Sequence, residues 1–340
     1  MKKIDFEAHF YTEDYIKAMY ANSGYPNFRD HPQTHKRHLW YFPDVGQPFA
    51  DGLLNALLDV GDQRIARMDA HGIDIQVLSL SAPGIEQLDT KAGTELSRKA
   101  NNSLSEMINK NPDRFMGYAA LAPKDPQAAA GELERAVKQF GFAGWNTHSN
   151  FGDTYLDEKQ YWPILETAAK LNVPVYLHPT VPAIPGTRKY GFVLAGAPFG
   201  FGAETALCMM RLIYSGVFDK YCDLKIILGH LGEALPFLYK RIDWAWVRPF
   251  DPESRPQLAK RPSEYLRDNV YVTTSGNYYQ PAFICTVEAL GIDRILLGTD
   301  YPYEDPQECM QFLENLPISQ AEKQQIYYRN AGKLGMAFPA

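Results

Sequence analysis

The chain has 340 residues, 45% hydrophobic and 22% charged, with a formal net charge of −6. This balance suits a globular protein with a large buried core, and without a Lys/Arg stripe no nucleic-acid partner is expected. No apolar run approaches the ~20 residues that cross a bilayer, and no membrane partner is expected.

After the opening MKK come Asp5 and Glu7, so no secretory apolar region forms. Cys208, Cys222, Cys285 and Cys309 show no CxxC spacing and read as buried free thiols of a reducing compartment. The expected location is the cytoplasm.

Short apolar runs then alternate with helical stretches. A first strand is predicted at residues 3–7. Residues 20–51, rich in Pro, Gly, aromatics and His, read as a long loop. A helix follows at 53–70, ending at His71–Gly72–Ile73, where Gly72 suits a C-cap. Further strands are expected at 75–80, 115–120, 143–147, 175–178, 224–228, 270–273 and 294–297. Helices are expected at 91–109, 127–140, 161–171, 202–215, 233–246, 281–290, 306–313 and 320–334. A charged, Pro-bearing stretch at 248–262 interrupts the pattern. Eight strand–helix units of this kind suit a parallel sheet covered on both faces. The expected fold is α/β: a (β/α)8 TIM barrel, one domain over 1–340, with the 20–51 excursion over the active site. A doubly wound open sheet is the alternative.

Chemistry-bearing residues fall at the ends of these strands. Glu7 and His9 close IDFEAH, His178 closes VYLH, His230 closes IILGH and Asp300 closes ILLGTD. In a barrel, active sites form at that end. Positions i and i+2 of a strand share a face, so Glu7 and His9 can both address the axis. Carboxylates and imidazoles converging on one point are a donor set for a borderline divalent metal. A lone strand-end His is more often a hydrogen-bonded structural residue; five such residues at one end of separate strands point to a site. His148 follows the fourth strand and reads equally as structural or pocket-facing. His31, His35 and His38 have ragged spacing and read as surface or lid residues.

The motifs around these residues resemble a known family. Glu7–His9 as ExH, His178–Pro179 within LHP, GHLGE at 229–233 and GTDYPYE at 298–304 are similar to the amidohydrolase-2 branch of the amidohydrolase superfamily. More narrowly they resemble its metal-dependent hydroxybenzoate decarboxylases. NPDRF at 111–115, FGFGAETA at 199–206 and TTSGNY at 273–278 extend the similarity over nearly the whole chain. The resemblance implies a metal-dependent hydrolase-like barrel in which Glu7, His9, His178 and Asp300 are metal ligands. It implies that His230 and Glu233 form a hydrogen-bonded pair beside the substrate. Many hydrolytic relatives carry HxH and a later carbamylated Lys; here Glu7 stands first and Thr147–His148 ends the fourth strand, which implies one metal, Zn2+ or alternatively Mn2+. No organic cofactor is expected.

The activity so implied is non-oxidative decarboxylation of a small aromatic carboxylic acid. The ortho-hydroxyl and carboxylate of a hydroxybenzoate chelate the metal, a protonated Asp300 delivers its proton to the ring carbon, and CO2 leaves. His230 and Glu233 are the further catalytic residues. Arg188, Asn277 and His148 are candidate substrate contacts. Tyr25, Phe28, His38, Trp40, Tyr41 and Phe42 of the excursion are candidates to wall a ring. Three alternatives stay open: hydrolysis of a lactone or amide, decarboxylation of a muconate semialdehyde-type acid, and a metal-stabilised binding protein. A homodimer or homotetramer is implied by resemblance.

Overall fold

The computed structural model describes residues 2–184, 186–248, 253, 257–336 and 338. Part of the 248–262 stretch lies outside them.

Eight of its strands form one parallel sheet in chain order. They are β1 (Ile4–Phe10), β5 (Ile75–Leu80), β6 (Phe115–Ala120), β7 (Gly144–His148), β8 (Val175–His178), β9 (Ile226–Leu228), β10 (Val270–Thr273) and β11 (Ile295–Leu296). The sheet closes on itself: Phe6 N donates to Leu297 O at 2.8 Å, His9 N to Tyr301 O at 2.7 Å, and Ala8 bridges to Tyr301. This is a (β/α)8 TIM barrel, and its strands are buried along their length because helices cover the outside. Ile4, Phe6, Ile75, Val77, Tyr118, Tyr176, Ile227 and Tyr271 fill the barrel interior, and Leu334 and Met336 join them from the C-terminal segment.

One irregularity in β1 positions the site. Asp5 pairs with Gln76 and Ala8 with Leu78, so two residues, Phe6 and Glu7, face one residue of β5. Such a bulge reverses the in/out alternation of every later residue. Phe6 packs in the barrel interior, and so, above it, do Glu7 and His9 face the axis. A regular strand would put Phe6 and Glu7 on opposite faces.

Several local expectations are corrected. Residues 20–51 are not a loop: helix Glu13–Ala21 leads into an antiparallel sheet of β2 (Asn27–Asp30), β3 (Arg37–Phe42) and β4 (Val45–Pro48). Its alternating aromatics are strand residues; Phe28 and Leu39 are buried and pack toward Phe49. The 53–70 helix is two helices, Asp51–Leu58 and Asp62–His71, broken where Asp59 Oδ2 accepts from Arg64 N at 2.7 Å and begins the second. Gly72 is its left-handed cap, φ 66°. The 320–334 helix tightens and loosens in turn, from α (Gln320–Gln324) through π (Gln325–Arg329) to 3-10 (Asn330–Leu334). Cys208 and Cys309 are buried, whereas Cys222 is exposed and Cys285 half-buried.

The largest correction is at 233–246. In place of a helix the chain makes a left-handed turn at 230–234, then tight turns, and only Trp244–Val247 is helical. His230, Leu231, Glu233 and Ala234 have φ of 52°, 58°, 54° and 62°. Each costs roughly 1–2 kcal/mol relative to right-handed backbone. Tertiary bonds hold the turn: Leu231 N donates to Thr273 O at 2.9 Å and His230 N to Ser275 Oγ at 3.1 Å, with Leu231 and Leu235 buried. The turn lets His230 and Glu233 point the same way.

Candidate metal centre and active site

Glu7, His9, His178 and Asp300 each aim one donor atom at a common point at the C-terminal end of the barrel, all within 4.8 Å of one another. The surrounding bonds orient each donor. Thr273 Oγ donates to Glu7 Oε2 and leaves Oε1 for the centre. His178 Nδ1 lies 2.9 Å from Pro179 O, which can only accept, so the proton sits on Nδ1 and the Nε2 lone pair is free. His9 Nδ1 meets Ser79 Oγ at 2.9 Å, turning Nε2 inward. Asp300 sits in left-handed backbone, φ 58°, with its N donating to Glu7 O at 2.8 Å. Gly298 allows this crowding: a Cβ there would lie 2.7 Å from Thr273 Cβ and 3.1 Å from Glu7 Cβ.

The four inward atoms, Glu7 Oε1, His9 Nε2, His178 Nε2 and Asp300 Oδ1, are all buried and form no aligned hydrogen bond, although His9 Nε2 and Asp300 Oδ1 stand 2.9 Å apart. Orphaned buried polar atoms are costly, and four facing each other ask for a cation. Ligands on opposite sides of a Zn2+ ion stand roughly 4 Å apart, so the residues fit a divalent ion with small inward shifts. Burial, with the neighbouring His9 and His148 imidazoles, holds the His178 pKa well below its ordinary 6.5 and keeps this donor neutral.

His230 stands beside this group. Its Nδ1 lies 2.7 Å from Glu233 Oε1, and its Nε2 lies 3.7 Å from Glu7 Oε1 and 3.8 Å from Asp300 Oδ2. Burial alone would lower its pKa; Glu233, then Glu7, outweigh burial and raise it well above 6.5. For Asp300, burial raises the carboxyl, but the facing His230 and His9 imidazoles win and hold it below the usual range. The free site therefore keeps its proton on His230 and an ionised Asp300, in contrast to the protonated Asp300 expected for the loaded site. Gly276, φ 58°, gives the imidazole room, since a Cβ would lie 2.8 Å from His230 Cδ2.

Above the donors opens a cleft of about 750 Å³. His178, His230, Glu233 and Asp300 form its floor, and Phe192, Phe199, Phe201, Tyr41 and Tyr303 contribute aromatic walls. Tyr41 stacks on Phe192 with centroids 5.9 Å apart, so β3 meets the loop after β8.

Asn277 lines this cleft, but Arg188 and His148 do not. Arg188 lies over the Phe42 ring, 4.4 Å from its centroid, and faces another cavity. His148 is buried behind His178, with its Nδ1 3.1 Å from Glu86 Oε1. Of the six excursion residues, only Tyr41 lines the cleft; Phe28 is committed to the excursion's own packing, and Trp40 stacks against both His31 and His38. Sequence reasoning missed Tyr303, Glu304, Ser81 and Gln47 as cleft residues. Tyr303 and Glu304 follow Asp300 within GTDYPYE, and that proximity was the available signal; Ser81 and Gln47 had none.

The Amidohydrolase family model matches residues 4–334. Gamma-resorcylate decarboxylase of Polaromonas sp. (strain JS666) is 39% identical over 345 residues, covering 98% of each chain. A dihydroxybenzoic acid decarboxylase structure from Polaromonas sp. JS666, with bound manganese and the inhibitor 2-nitroresorcinol, is similar at TM-score 0.83 and 36% identity, covering 98% of this chain and 96% of that one. The 5-carboxyvanillate decarboxylase structure from Sphingomonas paucimobilis is similar at TM-score 0.87 and 31% identity, covering 98% of each. The chain belongs to the Amidohydrolase family.

Proposed function

We propose that the chain is a carboxy-lyase: a metal-dependent, non-oxidative decarboxylase of an ortho-hydroxybenzoate such as gamma-resorcylate. The observation that carries this reading is the four orphaned donors at the floor of an aromatic-walled cleft. The named relatives support it.

Glu7, His9, His178 and Asp300 would hold one divalent ion; this donor set suits Zn2+ and Mn2+ alike, and the manganese in the Polaromonas structure favours Mn2+. Bound there, the ion supplies Lewis acidity toward the carboxylate and the adjacent phenolic oxygen. The chain's own groups manage the proton. As the anionic substrate enters, added negative charge raises the Asp300 carboxyl. His230, 3.8 Å away, then passes its proton to Asp300 Oδ2 as that gap closes. Asp300 gives the proton to the ring carbon bearing the carboxylate. The bond to the carboxylate breaks, its electron pair restores the aromatic ring, and CO2 leaves. Glu233 holds the imidazole through Nδ1 during both transfers. A proton from water restores His230.

Charge in the cleft restricts the substrate. Glu233, Asp300 and Glu304 line it, and among the described residues no Lys or Arg does. A second carboxylate would find repulsion and no partner, so a monocarboxylic acid is preferred over a dicarboxylic one such as 5-carboxyvanillate. Exposed Val193, Phe199 and Phe237 near this cleft suit a homodimer or homotetramer.

The test is a CO2-release screen of metal-loaded protein over hydroxybenzoates, 5-carboxyvanillate and a lactone panel. CO2 from 2,6-dihydroxybenzoate or a close isomer is expected. Turnover of lactones alone would replace this reading by hydrolysis, and preference for 5-carboxyvanillate would overturn the monocarboxylate assignment.

A further inference from the structure

The barrel mouth holds a second cavity, of about 360 Å³, among the 20–51 excursion and the loops after β5, β6, β7 and β8. Tyr41 lines both this cavity and the metal cleft, so one side chain stands between them. Their charges are opposite in character. The metal cleft has three carboxylates on its walls and, among the described residues, no Lys or Arg. The second cavity presents Lys124 and Arg188 against one carboxylate, Asp153.

Neither cation forms an ion pair among the described residues, although Asp89 and Glu86 attract Lys124 from farther away. Lys124 Nζ donates to the carbonyls of Gln87 and Leu88, at 3.1 and 2.9 Å, and forms no ion pair among the described residues. The Arg188 guanidinium lies over the Phe42 ring, 4.4 Å from its centroid, and makes no hydrogen bond or ion pair among the described residues. Other arginines of the chain are committed: Arg211 pairs with Asp157 at 2.7 Å, Arg135 with Glu132 at 2.6 Å and Arg114 with Asp69 at 2.7 Å. A half-buried guanidinium held on a ring, with its donors free, is a ready partner for a carboxylate in bidentate geometry. Tyr25 and Phe42 supply apolar wall for an attached ring, and the volume falls within the roughly 300–1,000 Å³ of small-molecule sites.

We infer that this cavity binds an aromatic carboxylate, as a capture site beside the metal cleft. The ligand class rests on the proposed function; the site rests on the cavity and its unpaired cations. An anion is repelled by the acidic walls of the cleft until it reaches the metal. A cationic neighbour raises its local concentration first.

The probe is benzoate, which lacks the ortho-hydroxyl needed for chelation, titrated calorimetrically into metal-free full-length protein. Saturable binding is expected, weakened about tenfold or more in Arg188→Ala, less in Arg188→Lys, which keeps the charge but loses the fork. His178→Ala, at the floor of the metal cleft, should bind as wild type does. Circular dichroism confirms the fold of each variant; should Arg188→Ala not fold, Lys124→Ala reads the same site with the same outcomes. Unchanged affinity in the folded variant, loss of binding in His178→Ala instead, or no saturable binding to wild type would overturn the inference. A chain that binds benzoate through Arg188 yet releases no CO2 would sink the proposed function and leave this site standing.

Discussion

Replacing Glu233 by Gln removes one charge and little else. The carboxylate lies 2.7 Å from His230 Nδ1, and the amide oxygen of Gln can still accept from that nitrogen. The other carboxylates near the imidazole, Glu7 and Asp300, stand at 3.7 and 3.8 Å from Nε2. At an effective dielectric of about 20, the attraction at the shorter distance is about 6 kcal/mol, against about 4.5 kcal/mol for each of the longer pairs. Glu233 is thus the largest single support of the imidazolium. The retained hydrogen bond and relief of charge burial offset part of this, leaving a net loss of about 2–4 kcal/mol. That is about 30- to 1,000-fold in kcat. The sign with pH also follows. Activity needs His230 protonated, so it falls as pH rises through the His230 pKa, which Glu233 holds above the ordinary value. Glu233→Gln lowers that pKa and moves the alkaline fall of the kcat profile to lower pH. The assay is CO2 release from 2,6-dihydroxybenzoate across pH, with metal content measured in parallel. Glu233 is not a proposed ligand, so metal content should not change. A variant within about threefold of wild type at every pH, or one slow only because it has lost its metal, would refute the reasoning.

Asp300→Asn keeps an oxygen for the metal but carries no transferable proton; kcat should fall about 10²–10⁴-fold while substrate still binds, as calorimetry can read. Gly298→Ala drives a methyl against Thr273 and Glu7; a lower melting temperature, a cost of about 1–3 kcal/mol, and reduced metal content are expected. Metal retention on acidification tests His178. Its pKa is depressed, so its contribution to the folded, metal-competent state is present above 6.5 and is lost only as pH falls through the lower folded value. Metal released at or above pH 6.5 in a dialysis series would contradict the buried, neutral imidazole.

The barrel was legible because its strands are short apolar runs that alternate with helical stretches. Glu7, His9, His178, His230 and Asp300 were visible through their number: one polar residue closing an apolar strand is ordinary, but five at the same end of separate strands are not. The strand-end pattern alone did not show how they divide; the family resemblance supplied that division. Four donors converge while His230 turns to Glu233, and that division depends on the left-handed backbone at 230–234, which no local propensity favours. The bulge in β1 was equally hidden, since IDFEAH reads as a regular strand and pairing register is a property of two strands. The excursion misled because its Pro, Gly and His content mimics a loop, while its aromatics alternate as strands across only four to six residues each. Arg188 was assigned by proximity to the fifth barrel strand; a stacking contact with Phe42, remote in sequence, turns it to the second cavity.

The central claim is that Glu7, His9, His178 and Asp300 hold one divalent ion on which turnover depends. Elemental analysis of the purified full-length chain, before and after chelation and readdition of Mn2+ or Zn2+, with CO2 release measured at each stage, tests it directly. The account predicts one equivalent per chain, activity that falls and returns with the metal, and no retained metal in His178→Ala. Full activity in metal-free protein, or an unchanged equivalent of metal in His178→Ala, would contradict it.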